Sequence, residues 1–274
     1  MRGFAFTLVF VLIAALLVLT AVEALRWKRG EPTFADVGKR AYIADDVAQD
    51  ILGILDVSIS ASRNGTHALL SFSDSIPSRL SAPDASMAEY VGFIERRYAN
   101  LTNSNITVGG LEPLLRFSAP EFAYRYSGWD KRGVGLVGDA DSYSITLVLD
   151  RECEGRGGGG RRRCEPEGPW NWTSKGTFVE LDIRDSRGQR VEPGGRSSGY
   201  IDKEQFNAFT VALRGGGMLT VTVGGDAFRI FVDNAGAELE SEVAVRHEGG
   251  IRAEVPVEVT VDGTTFAGVP VLEK

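Results

Sequence analysis

The sequence is short of the side chains that carry covalent chemistry. Its 274 residues include two histidines and two cysteines, so nucleophile–base catalysis has few parts to draw on. The zinc-protease pattern H-E-x-x-H and the nucleotide-binding G-x-x-x-x-G-K-[ST] are both missing. The Gly run at 157–160 lacks the strand-to-helix setting of a phosphate cradle and reads as a loop. A basic excess is missing too: 30 Lys and Arg stand against 37 Asp and Glu, a net charge of −7. Nucleic-acid binders present a basic face, so that class is set aside. No internal repeat is obvious. The chain is read as a non-enzyme without a cofactor or metal. Hydrophobic residues at 43% nevertheless provide for a proper core.

The one long apolar run lies at residues 4–25. It is uncharged from Gly3 to Val22, and its only acid is Glu23. As a helix it spans roughly 33 Å, against about 30 Å for a bilayer core. The apolar part of an export signal is about 7–15 residues, so this one runs long. Cleavage after Val22-Glu23-Ala24 is one alternative, and a retained single-pass anchor is another. Arg26, Lys28 and Arg29 follow the run and only Arg2 precedes it. Taken alone, that charge order keeps the body in the cytoplasm.

The body points the other way. Of only seven asparagines, four open an N-x-T sequon: Asn64, Asn100, Asn105 and Asn171. With 34 Ser and Thr in the chain, chance gives about one. Cys153 and Cys164 flank a segment holding Arg156, Arg161, Arg162, Arg163 and five glycines. That composition builds no core and suits an exposed loop. A disulfide closing it contributes roughly 3 kcal/mol and persists only in an oxidising compartment. Sequons and cysteines together place the body outside the cell.

After Gly30-Glu31-Pro32, Thr33 to Asp36 reads as a capping box. Val37, Ala41, Ala44, Ala48, Ile51 and Leu55 then mark an amphipathic helix, with Lys39, Arg40, Asp45, Asp46 and Asp50 off the stripe. A second helix is expected over 84–100, its stripe Met87, Tyr90, Val91, Ile94 and Tyr98 facing a core. From Asn105 onward short alternating runs such as "SYSITLVLD", "TFVELDIRD" and "MLTVTVGG" are punctuated by Gly-rich turns. Seven or more such strands about 10 residues apart predict an antiparallel β-sandwich. The fold class expected is α+β, mostly β. It comprises a leader and transmembrane or filament-core helix (1–29), an amphipathic helix (33–57), a small α/β segment (58–135) and an extracellular β-sandwich (136–274).

The opening residues carry a resemblance. A short basic leader, Arg2-Gly3, followed by the aromatic-led apolar run Phe4-Ala5-Phe6-Thr7-Leu8, resembles the class III signal of archaeal type IV pilin-like proteins. The likeness covers about the first 55 residues. It implies cleavage between Gly3 and Phe4, retention of the apolar helix, and self-association or assembly with other pilin-like subunits through residues 4–25. Bacterial pilins usually carry Glu at the fifth mature position, where this chain has Leu8; archaeal members often lack that acid. The rival expectation is a single-pass or secreted adhesin, a sugar-binding sandwich that does not polymerise.

Three further clusters are candidates. Asp139 and Asp141 offer alternate acids to a cation but lack the Gly and bidentate acid of a calcium loop. The Arg156 and Arg161–Arg163 group suits acidic surface glycans as partners, or is a solvated run offset by Glu152, Glu154, Glu165 and Glu167. Trp170 and Trp172 either stack on sugar rings or join the core.

Overall fold

The computed structural model describes residues 34–55, 58–76, 87–109, 115–126, 132–154 and 164–273, together with Thr20. The leader residues Gly3 and Phe4, the apolar run apart from Thr20, and Arg156, Arg161, Arg162 and Arg163 lie outside the described residues.

Helix α1 (Phe34–Leu55) leads into the hairpin β1 (Ser58–Asn64) and β2 (His67–Ile76). A helical stretch follows: α2 (Met87–Phe93), a π-helical segment (Ile94–Tyr98) and α3 (Ala99–Thr102). Next come β3 (Ile106–Gly109), β4 (Leu115–Ala119), β5 (Glu121–Tyr126) and β6 (Gly133–Gly138). Then β7 (Ser142–Leu149), β8 (Thr177–Arg184), β9 (Arg190–Val191) and β10 (Ser198–Ile201) are reached. The last six strands are β11 (Asn207–Leu213), β12 (Gly217–Gly224), β13 (Ala227–Asp233), β14 (Ala237–Arg246), β15 (Arg252–Val261) and β16 (Thr264–Glu273).

These strands make two sheets. One runs β1-β2-β14-β7-β8-β10 with β9 beside β8; the other runs β11-β12-β13-β6-β5-β4-β15-β16 with β3 beside β15. The molecule is thus mostly β, with a sandwich-like arrangement, and strands from before and after residue 136 interleave in both sheets. Alternation in the sequence sets the faces. In β14 the acids Glu238, Glu240 and Glu242 are exposed while Leu239 and Val243 are buried, as a period of two requires. The β15–β16 hairpin turns on Asp262 and Gly263, with φ of 48° and 77°, the signature of a primed two-residue turn. Antiparallel pairing prevails, but β7 and β8 run parallel, so the chain between them must cross over.

The core joins both sheets. Phe72 stacks on Tyr124 at 4.7 Å and meets Phe117 edge-on at 6.0 Å. The Tyr124 hydroxyl donates to the buried Asp74 carboxylate across the sheets at 2.8 Å. Helix α1 completes this core at the β15–β16 edge, where it packs against both strands. Ile43, Ala44, Val47, Ala48 and Ile51 are buried, whereas Val37 and Ala41 of the expected stripe are exposed, as is Tyr42 at 70%. The buried face is therefore turned and shortened: only the second half of the helix enters the body.

Polar contacts fix the angle of α1. Lys39 Nζ donates to the Thr102 carbonyl at 2.7 Å, at the end of α3. Arg40 reaches Thr264 Oγ1 at 2.9 Å and Asp262 at 3.7 Å. Tyr98 and Tyr90 donate to Asp46 and Asp50 at 2.6 and 3.1 Å. Burial first, then the hydrogen bond to Asp46 and that carboxylate's charge, push the Tyr98 hydroxyl up to about 12. Burial and the Asp50 charge raise Tyr90 as well. A pKa raised in the folded state gives stability that is full below the unfolded value of about 10 and fades as pH rises through the folded one. Denaturant unfolding across alkaline pH should therefore show falling stability above about pH 10, and Tyr98→Phe should flatten part of that fall. An unchanged slope in Tyr98→Phe would show that the Tyr98–Asp46 contact does not hold α1.

Candidate functional site

The crossover between the parallel strands β7 and β8 is the most elaborated part of the molecule. It leaves β7, lies antiparallel to β11 of the other sheet at Cys153↔Leu213 and Glu167↔Thr210, and touches its own sheet at Cys164↔Val191 and Thr173↔Tyr200. It thereby zips together the sheet edges that α1 does not cover. Cys153 and Cys164 form the expected disulfide, with Cα atoms 5.3 Å apart, and both are buried.

Asp185, 2% exposed, lies beneath the bridge. Its carboxylate accepts from the amides of Cys153, Arg187 and Gln189 at 3.2, 2.9 and 2.8 Å. One of its oxygens is 3.8 Å from Cys164 Sγ. Cys153, Cys164 and Asp185 are close enough to share an ion, but the sulfurs are joined to each other and the carboxylate is filled by amides. The trio is a structural knot that ties the β8–β9 turn to the crossover.

The four sequon asparagines are all exposed, and none of their side-chain amides makes a hydrogen bond among the described residues. The other three asparagines have local work. Asn103 and Asn234 adopt φ of 51° and 50°, where asparagine is favoured. Asn207 is buried, donates to Asp202 and Gln205 carbonyls, and accepts from the Asn171 amide. Strand register puts Asn64 and Asn171 at one end of the sandwich. Asn100 and Asn105 sit at the other, beside the Asp262 turn and the exposed start of α1.

The remaining candidates separate. Asp139 is held by Lys203, while Asp141 lies 3.2 Å from His67 Nε2 and 3.9 Å from Arg246, so the two acids turn to different cations. Trp170 is buried against Phe209 at 5.1 Å and Trp172 at 5.5 Å. Trp172 donates to the Pro193 carbonyl at 2.7 Å. Its ring lies so close to Gly199 that an added Cβ would stand 2.8 Å from it. Both indoles belong to the body rather than to an open sugar platform. Of the acids flanking the Arg-rich segment, Glu152 pairs with Arg187 and Arg214, each at 2.6 Å.

Sequence reading passed over several patterns. Gly195-Arg196-Ser197-Ser198-Gly199 fits G-x-S-x-G but runs into strand β10 rather than into a helix, so it is not a nucleophile elbow. Gly133-Val134-Gly135-Leu136-Val137-Gly138 fits G-x-G-x-x-G but is strand β6 itself. Thr66 Oγ1 is 3.3 Å from His67 Nδ1, giving a hydroxyl–imidazole–carboxylate chain with Asp141. It occupies an exposed hairpin tip and lines neither of two depressions described among these residues. One of those, about 350 Å³, is floored by hydroxyls and glutamates of β2, β7 and β14. The other, about 520 Å³, is edged by Arg116, Arg125, Glu121, Asp139 and Asp226.

No family model, curated protein or solved structure matches the chain. Among the described residues no helix is long and apolar enough to cross a membrane.

The knot makes a direct prediction. Asp185→Ala leaves the buried Cys153 amide and the part-buried Arg187 and Gln189 amides without their acceptor and should lower stability by about 2 kcal/mol in denaturant unfolding. Asp185→Asn, which keeps one acceptor oxygen, should lose less. Equal stability of wild type and Asp185→Ala would contradict the role given to this carboxylate.

Proposed function

We propose that this chain is a membrane-anchored, N-glycosylated cell-surface structural protein of type IV pilin-like kind, which assembles through its N-terminal apolar helix. The observation that carries this reading is the half-buried α1. Its second half is locked into the sandwich, while its first half, next to the apolar run, leaves Val37, Ala41 and Tyr42 exposed. A helix with an unfilled apolar face, joined to some 20 further apolar residues, suits lateral packing against copies of itself.

Other features agree with this assignment. A sandwich closed by α1 along one edge and by a disulfide-tied crossover along the other suits a protein exposed to an oxidising exterior. Four unbonded sequon asparagines suit a glycosylated surface. The end bearing Asn100 and Asn105 is where α1 emerges, so it faces the membrane or filament axis. The end bearing Asn64 and Asn171 faces outward.

Two measurements test the reading. Full-length protein isolated from its native membranes should form filaments or large oligomers visible by microscopy. Its mass should drop by one glycan each time Asn64, Asn100, Asn105 or Asn171 is replaced by Gln. A glycan-free protein that stays monomeric once its leader is removed would overturn the proposal.

A further inference from the structure

The four sequons share a residue pattern but not a backbone. A sequon is read as a pair, the asparagine amide that accepts the glycan and the hydroxyl two residues on. Both must be free and turned to the same side. In an extended strand alternate side chains meet that condition. On a helix residues two apart do not face each other, and in a two-residue hairpin the chain reverses between them.

Three of the four fail it in the folded molecule. Asn64-Gly65-Thr66 runs through the β1–β2 turn, where Asn64 pairs with His67. The Thr66 carbonyl accepts from the His247 amide at 2.9 Å, and its Oγ1 lies 3.3 Å from His67 Nδ1. Asn100-Leu101-Thr102 lies in helix α3, and the Thr102 hydroxyl donates to the Tyr98 carbonyl at 2.9 Å. Asn171-Trp172-Thr173 is held at every residue. The Asn171 amide donates to Asn207 Oδ1 at 2.9 Å and the Trp172 indole to the Pro193 carbonyl at 2.7 Å. The Thr173 hydroxyl donates to the Lys175 carbonyl and its amide to the Tyr200 carbonyl, each at 2.7 Å.

Asn105-Ile106-Thr107 differs. The Asp262 amide donates to the Asn105 carbonyl at 2.8 Å, which carries the β3–β15 ladder on to Asn105. Ile106 is buried, while Asn105 and Thr107 are exposed, so both stand on the outer side of an extended segment. The Thr107 hydroxyl makes no hydrogen bond among the described residues. All four asparagines are exposed, so a finished glycan fits the folded body at every site. What differs is whether the folded body receives one.

We infer that folding divides the acceptors: Asn105 stays a substrate for glycan transfer in the folded protein, whereas Asn64, Asn100 and Asn171 are substrates only before their segments fold. The inference rests on the glycosylation reading above and adds an order of events to it. In the transfer, the asparagine Nδ2 forms a bond to the anomeric carbon of a glycan carried on a lipid phosphate. That carbon's bond to the phosphate oxygen breaks, the lipid phosphate leaves, and the amide proton passes to solvent. The chain's own part is presentation, which its backbone sets site by site.

Site-resolved transfer tests it. Full-length protein purified without glycans, in detergent, is incubated with native membranes that supply the transferase and its lipid-linked glycan. The chain is offered either folded or reduced and unfolded in dilute urea, and occupancy at each asparagine is read by peptide mass. The unfolded chain should be modified at all four. The folded chain should match it at Asn105 and fall about tenfold or more at the other three, because a closed segment reacts only while open. Equal occupancy of all four in the folded chain overturns the division. A folded chain bare at Asn105 overturns its standing as a ready acceptor. An unfolded chain bare throughout, on membranes that modify a free N-x-T peptide, removes the glycosylation reading instead.

Discussion

Two sheets facing one another bury their inner sides but leave open flanks, and the rest of this structure depends on how those flanks are closed. Exposed strand edges and uncovered core are liabilities in any sandwich. Here one flank is filled by Ile43, Val47 and Ile51 of α1, which join the common core. The opposite flank is closed by the β7–β8 crossover, which pairs with strands of both sheets and is held by the Cys153–Cys164 bridge and Asp185. The parallel pairing of β7 and β8 makes that long connection unavoidable.

The two closures have different consequences. Because α1 is part of the core, anything that holds its first half also holds the body in a fixed orientation. The Tyr98–Asp46, Tyr90–Asp50, Lys39 and Arg40 contacts add stiffness at the point where the helix leaves the sandwich. A molecule built this way has a helix fixed along one edge of the sandwich and a disulfide-tied crossover along the other.

Much of this was legible in the sequence, and the misses have physical reasons. The alternation of β14 and the Gly-rich turns made strands and faces readable, because a period of two is a local property. The disulfide was readable because ten residues rich in Gly and Arg offered no other role for two cysteines. The buried stripe of α1 was misplaced because Val37 and Ala41 continue the same helical pattern as Ala44, Ala48 and Ile51; only contact with β15 and β16 decides where burial begins. Asp46 and Asp50 read as solvated charges since their partners, Tyr98 and Tyr90, lie 52 and 40 residues away. Asp185 was invisible for a similar reason: one of its ligands is a backbone amide 32 residues off. The parallel β7–β8 pair could not be read from alternation, which is the same in either direction.

The central claim is that the apolar run of residues 4–25 is kept as an assembly element. The most direct measurement is the intact mass and N-terminal peptide of the protein isolated from its native membrane. The account predicts a chain beginning at Phe4, cut after the Arg2-Gly3 leader and retaining residues 4–25. A chain beginning at Leu25 would contradict it, because the helix would then have served only for export, and an intact Met1 would reduce the segment to a plain anchor.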